Sequence, residues 1–153
     1  MKNRNPKSLL LPLPVVLAIM TGNLCAQIVA QDTLDELGGT SWQLVKFQGG
    51  DNTILFPDDS VKYTISFGKD GRVSVRIDCN CGDSIWKSSW AKQLEFGPLA
   101  LTRAMCPPGF LHDRITKDWG YVRSYIMKDG HLFLSLMADG GIYEFEPMLA
   151  RFN

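Results

Sequence analysis

The densest concentration of chemically useful side chains is Asp78-Cys79-Asn80-Cys81-Gly82-Asp83, with carboxylates, thiols and a carboxamide on consecutive residues. Several chemistries compete for it. A calcium loop that starts at Asp78 would place its glycine one position early, at Gly82, and would end on Ser89 where a bidentate glutamate is needed. A zinc site could draw on Cys79, Cys81 and Cys106, but Cys-x-Cys is tighter than the usual ligand spacing, and His112 and His131 fall in no paired pattern. A redox dithiol is expected as Cys-x-x-Cys, and carboxylates on both sides oppose formation of a thiolate. The remaining reading is a structural disulfide between distant parts of an exported domain.

Catalytic signatures are no stronger. The sequence has no Gly-x-Ser-x-Gly elbow, no phosphate loop and no His-Glu-x-x-His. Glu144 and Glu146 share one face of an expected strand, and paired carboxylates can do acid–base work. Their alternation with Tyr143 and Phe145 points instead to the wet face of a sheet. Trp86 and Trp90 suit an exposed binding platform, whereas Trp42 and Trp119 are expected in the core.

The elements that must position these residues are mostly strands. In Val61-Lys62-Tyr63-Thr64-Ile65-Ser66-Phe67 the odd positions are apolar and the even ones polar, the mark of a half-buried strand. Lys69-Asp70-Gly71 supplies a turn, and Val73, Val75 and Ile77 resume the alternation. A second hairpin is expected from Tyr121–Met127 and His131–Met137 across Lys128-Asp129-Gly130, with Ile142–Glu146 as the next strand of the meander. Trp42–Phe47 and Gln93–Phe96 are further strands. The nearly continuous apolar run from Leu132 to Met137 predicts a strand covered on both faces. Leu111, Ile115, Trp119 and Val122 instead recur at helical spacing, which predicts one short helix over about 108–119. The fold class is therefore mainly β: a curved antiparallel sheet or small barrel-like meander with one short α-helix.

The N-terminus reads as a secretory signal peptide, residues 1–26 or 1–30. Lys2, Arg4 and Lys7 precede a stretch without charge from Ser8 to Gln31, with an apolar core through Ile19-Met20 and small residues at Ala26 and Ala30. Pro12, Pro14, Thr21, Gly22 and Asn23 weigh against a retained anchor, which needs roughly 20 apolar residues. Asn23 and Leu24 do not suit lipid attachment at Cys25. Residues 31–38 read as a short linker and 39–150 as one domain, in a mature chain of roughly 125 residues. Without the three leader cations, 13 basic residues face 16 acidic ones. That balance argues against nucleic acid as a partner and against an anionic membrane surface. With 45% hydrophobic and 10% aromatic residues, the chain has material for a packed core.

Three segments, taken in order, resemble one family. Gly39-Thr40-Ser41-Trp42-Gln43-Leu44-Val45 is similar to the opening strand of META/HslJ domains, Cys79-Asn80 to their Gly-Cys-Asn signature, and Leu94 to Pro107 to a Gly-Pro-x-x-x-Thr run that ends in cysteine and proline. The resemblance spans roughly Leu37 to Pro147, and its signature positions are Trp42, Asn80, Gly97, Pro98, Thr102 and Pro107. Asp78 stands where the family has glycine, and Cys81 is additional. The resemblance implies a compact β-barrel-like domain with a helix, an envelope or secreted setting and a loose association with stress tolerance, antibiotic resistance, motility or virulence. It supplies no catalytic residue.

The resemblance also sets Cys106 beside the Asn80 loop. The pairing expected is Cys79 with Cys106, because Cys79 continues the inward parity of Val73, Val75 and Ile77. Cys81 is then the free thiol, with Cys81–Cys106 as the alternative. The function expected is a non-catalytic, cofactor-free exported domain, monomeric and without a membrane span once the leader is removed. It would bind or stabilise an envelope or secreted protein in stress or envelope homeostasis. Two rivals are a carrier of a small apolar ligand, which Tyr63, Phe67, Phe133 and Phe145 would oppose by filling the barrel, and an inhibitor of an exported lytic enzyme.

Overall fold

The computed structural model describes residues 36–148 except 108; the expected leader lies outside them. Ten strands follow one another: β1 (Thr40–Gln48), β2 (Ile54–Leu55), β3 (Tyr63–Phe67), β4 (Arg72–Ile77), β5 (Asn80–Ser89), β6 (Gln93–Phe96), β7 (Ala100–Leu101), β8 (Val122–Lys128), β9 (His131–Leu136) and β10 (Ile142–Pro147). A helix, α1 (Phe110–Asp118), connects β7 to β8. Every pairing is antiparallel, and β10 pairs back onto β1 from Trp42↔Pro147 to Gln48↔Ile142. The result is a closed eight-stranded barrel, with β2 an extension beside β1 and β7 continuing β6 along β5. Closure leaves fewer unpaired edges than an open sheet of the same strands.

The hairpins follow the alternation in the sequence. Tyr63, Ile65 and Phe67 pair with Ile77, Val75 and Val73, and all six are buried. Leu132, Leu134 and Leu136 of β9 face inward with Tyr143 and Phe145 of β10. Phe133 does not: it lies on the outer face, near His131. Met137 is exposed beyond the strand end. The strand covered on both faces is thus a one-sided strand flanked by partly exposed apolar residues.

One strand departs from the expected pattern. β5 runs from Asn80 to Ser89, and its inward positions are Asn80, Gly82, Ser84 and Trp86. Trp86 is only 3% exposed and its ring meets Phe67 edge-on at 5.3 Å, so it belongs to the core and not to a surface platform. Trp90 is 70% exposed. The small inward residues make room for the chain that crosses this wall. A Cβ on Gly82 would stand 2.4 Å from the Ala100 carbonyl oxygen, and one on Gly97 would stand 2.6 Å from Ile85 Cγ1.

The two barrel ends are closed differently. At the end where β1 begins, Leu37 is fully buried although it falls in the segment expected to be a linker. Glu36 beside it accepts from Lys92 Nζ at 3.1 Å and from the Tyr125 hydroxyl at 3.2 Å. At the other end α1 lies across the mouth. Trp119 stacks on Phe96 at 4.3 Å and donates its indole N–H to the Gly97 carbonyl at 3.0 Å. Asp118 accepts from Arg114 Nε at 2.6 Å and from the buried Tyr143 hydroxyl at 2.7 Å. Arg114 also covers the Phe47 ring at 4.4 Å. A charge so deeply placed is tolerable because both partners satisfy it.

Candidate functional site

The signature residues converge where the β4–β5 hairpin meets the chain after β7. Ile77 pairs with Asn80, so Asp78 and Cys79 alone make the turn. Two-residue hairpin turns need a positive φ at their first central residue, which favours glycine; Asp78 takes it, at φ +57°. Its backbone N–H donates to Lys62 O at 2.9 Å, and its carbonyl accepts from Arg76 Nε at 3.0 Å. The turn breaks the strand parity. Cys79 is therefore exposed, not inward as alternation from Ile77 suggests, and Asn80 takes the buried place. The structure joins Cys79 to Cys106 through a disulfide with Cα atoms 5.6 Å apart, and leaves Cys81 exposed with a free thiol on the outer face of β5.

Asn80 is the centre of the cluster. Its carboxamide oxygen accepts from the Ala104 N–H at 2.7 Å and from the Thr102 hydroxyl at 2.9 Å. Its amide nitrogen faces the Ala104 carbonyl at 3.2 Å, Cys106 Sγ at 3.1 Å and His112 Nε2 at 3.4 Å. Thr102 accepts in turn from the Cys81 N–H at 3.1 Å, and its own N–H donates to Cys81 O at 2.9 Å. An amide proton directed at His112 Nε2 requires that nitrogen to be unprotonated. Nδ1 then carries the proton that Asp113 accepts at 3.2 Å.

Cys106, His112 and Asn80 have the residue types of a nucleophilic cysteine site, but not its arrangement. There the histidine stands between the sulfur and the asparagine; here the asparagine occupies the middle, and the sulfur is spent in the disulfide. Zinc fares similarly: the disulfide removes two of the three thiolates considered, and no group of three metal-binding side chains forms among the described residues. Glu144 and Glu146 are apart from this cluster, on the outer face of β10. Glu144 pairs with Lys46 at 3.2 Å and His131 at 2.8 Å, and Glu146 accepts from Gln43 at 2.6 Å.

The other signature residues brace the same wall. Gly97 and Pro98 break the strand between β6 and β7, and the Gly97 carbonyl accepts both the Trp119 indole and the Ser84 hydroxyl, the latter at 2.8 Å. Trp42 is buried, with its indole N–H on Thr40 Oγ1 at 2.7 Å. Pro107 is exposed and lines an open groove of 320 Å³ with Leu55, Phe56 and Tyr63. A second open cleft, of 410 Å³, separates the 99–104 segment from His112 and Thr116 of α1. No local pattern along the chain signals it, because it depends on where α1 lies relative to the 99–104 segment.

The META domain family model matches residues 35–147, nearly all of the described chain. The chain belongs to the META domain family. Similar folds occur in solved structures of low identity. One is a protein from Burkholderia xenovorans determined by NMR, with a TM-score of 0.64 and 16% identity over 97% of this chain and 99% of that one. Another is a DUF4847 family protein from Bacteroides vulgatus ATCC 8482, with a TM-score of 0.55 and 12% identity over 73% of this chain and 94% of that one. At such identities the likeness is one of fold. No curated protein matches the chain. For this META domain, the expected barrel with one short helix and the family resemblance both agree with what is found.

Proposed function

We propose that this META domain is an exported, non-catalytic module that acts by binding, and thereby stabilising, another protein of the cell envelope or its exterior. The observation that supports this most is the use made of the signature residues. Asn80, Thr102, Cys79 and Cys106 spend their polar and sulfur groups on one another and on the 102–106 backbone. They build a rigid loop and leave no poised nucleophile and base. Two gaps among the described core residues, of 40 and 30 Å³, are far smaller than the roughly 300 Å³ and more that bound small molecules occupy, which speaks against a carrier. The work is therefore left to the outer surface.

Export fits the leader-like N-terminus and the disulfide, which persists in oxidising compartments. No helix among the described residues is long and apolar enough to cross a membrane. One feature favours the inhibitor variant of the binding reading. Met105 is fully exposed beside Cys106, on a loop fixed by the disulfide and Asn80, and a rigid projecting side chain suits entry into an enzyme pocket.

Cell fractionation with N-terminal sequencing and chemical cross-linking tests the proposal. The expected result is a processed chain outside the cytoplasm, cross-linked to one defined protein. An intact Met1 in the cytosol would overturn it, as would turnover of an ester, peptide, glycoside or thiol substrate abolished by one substitution.

A further inference from the structure

We propose that the outward edge of the Leu99–Arg103 segment, which faces α1 across the open cleft, takes up an extended acidic segment of a partner protein by strand addition. This rests on the binding reading above and gives it a site. Successive residues of an antiparallel strand direct their N–H and C=O groups to opposite edges. Ala100 pairs with Asp83, the Thr102 N–H bonds to Cys81 O, and both main-chain groups of Ala104 are held by Asn80. The even positions thus turn inward to β5. The odd positions, Leu99, Leu101 and Arg103, turn the other way, toward the cleft.

That edge is unusual in this barrel. Elsewhere along the ring β-strands are paired on both sides, but β6 meets β8 only at Gln93↔Ser124, and β7 pairs with β5 alone. Neither Leu99 nor Arg103 makes a hydrogen bond, through main chain or side chain, to another described residue. The cleft beyond them measures 410 Å³ and has His112 and Thr116 on its far wall. The edge is also rigid, since the Asn80 cluster and the disulfide fix the chain behind it, which lowers the ordering cost of binding.

The charge at the cleft selects the occupant. Arg103 is exposed and has no ion pair among the described residues. His112 is engaged on both ring nitrogens, by Asn80 and by Asp113, and Asp113 points to solvent at the rim. The free charge of the segment is therefore the guanidinium, a planar fork suited to a carboxylate. Main-chain bonds along the edge would hold an extended segment, and a glutamate or aspartate at its centre would set the register.

The probe is a blocked seven-residue peptide of alternating threonine and valine with a central glutamate, added to the isotope-labelled, leader-processed, disulfide-intact protein. Amide hydrogen exchange is followed by NMR. The expected result is slowed exchange at Leu101 and Arg103. A central lysine should weaken binding by about tenfold or more, R103E should reverse that preference, and N-methylation of alternate peptide amides should abolish binding. The site is overturned if the glutamate peptide leaves these amides unchanged or protects others instead. Protection that appears without peptide and grows with protein concentration would assign the edge to a second copy and overturn the partner. If cross-linking still joins the protein to a partner through another face, the broader binding reading stands and only this site falls.

Discussion

The Thr102 hydroxyl donates to the Asn80 carboxamide oxygen at 2.9 Å while accepting from the Cys81 N–H at 3.1 Å, so one threonine ties the chain after β7 to the strand that carries Asn80. Removing the carboxamide strands the Ala104 N–H and C=O in a partly buried site. Asn80→Ala should therefore destabilise the fold by about 2–4 kcal/mol, read as a lower urea midpoint at unchanged slope. The closed disulfide loop, of sequence separation 27, keeps the hairpin and the loop joined in that variant, with a stabilisation of about 3–4 kcal/mol in the chain-entropy model.

Asp78 holds a position at which the family resemblance expects glycine, and it does so at φ +57°. Glycine adopts that region without a Cβ penalty. Its carboxylate makes only a long contact with Lys62 Nζ, at 3.9 Å. Asp78→Gly should accordingly stabilise the protein by about 0.5–1 kcal/mol, seen as a raised thermal midpoint.

Gly82 makes the opposite case. An added methyl would meet the Ala100 carbonyl oxygen at 2.4 Å, and that is backbone, which cannot swing aside. Gly82→Ala should push β7 from β5 and cost about 1–3 kcal/mol. Amide exchange at Thr102 should quicken, because its N–H bonds to Cys81 O across the same contact.

Alkaline stability carries a sign that the buried phenols fix. Burial first, then the Asp118 carboxylate that accepts its hydroxyl, holds Tyr143 protonated far above the ordinary phenol range. Burial likewise raises Tyr63 and Tyr125, helped by Asp78 and Glu36 respectively. In the unfolded chain such groups release their protons near pH 10, roughly. Beyond that point the folded state binds more protons than the unfolded one, so stability is complete below about pH 10 and falls as pH rises past it. Urea titrations at increasing pH should show this decline, and Tyr143→Phe should flatten it at the cost of about 1–2 kcal/mol at neutral pH, from the lost bond to Asp118.

The hairpins were legible because their two faces differ in polarity. Tyr63, Ile65 and Phe67 alternate with Lys62, Thr64 and Ser66, and the turns carry glycine. β5 was not legible, because Asn80, Gly82 and Ser84 face inward where apolar residues are the usual sign. They are small or polar to admit the Gly97 and Ala100 carbonyls and the Asn80 network, a tertiary demand with no period along the chain. The same strand misled the reading of Trp86, which is buried only because β5 continues that far. The disulfide partners followed from the resemblance, yet the parity offered for Cys79 fails: the left-handed Asp78 reverses the chain one residue earlier and turns Cys79 outward. The cleft beside Arg103 needs His112 and Thr116 of α1 to stand opposite the 99–104 segment, and no local pattern announces that.

Under the proposed function, the signature residues hold the fold together while the outer surface does the work. The decisive measurement is position-resolved photo-cross-linking of the protein in its own cells, with the reactive side chain placed in turn at Arg103, at Ile85 and at Trp90. The expected result is one adduct of defined mass, formed from position 103 and absent from positions 85 and 90. No adduct from any position, together with a purified activity abolished by substitution of Asn80, Thr102 or His112, would contradict it.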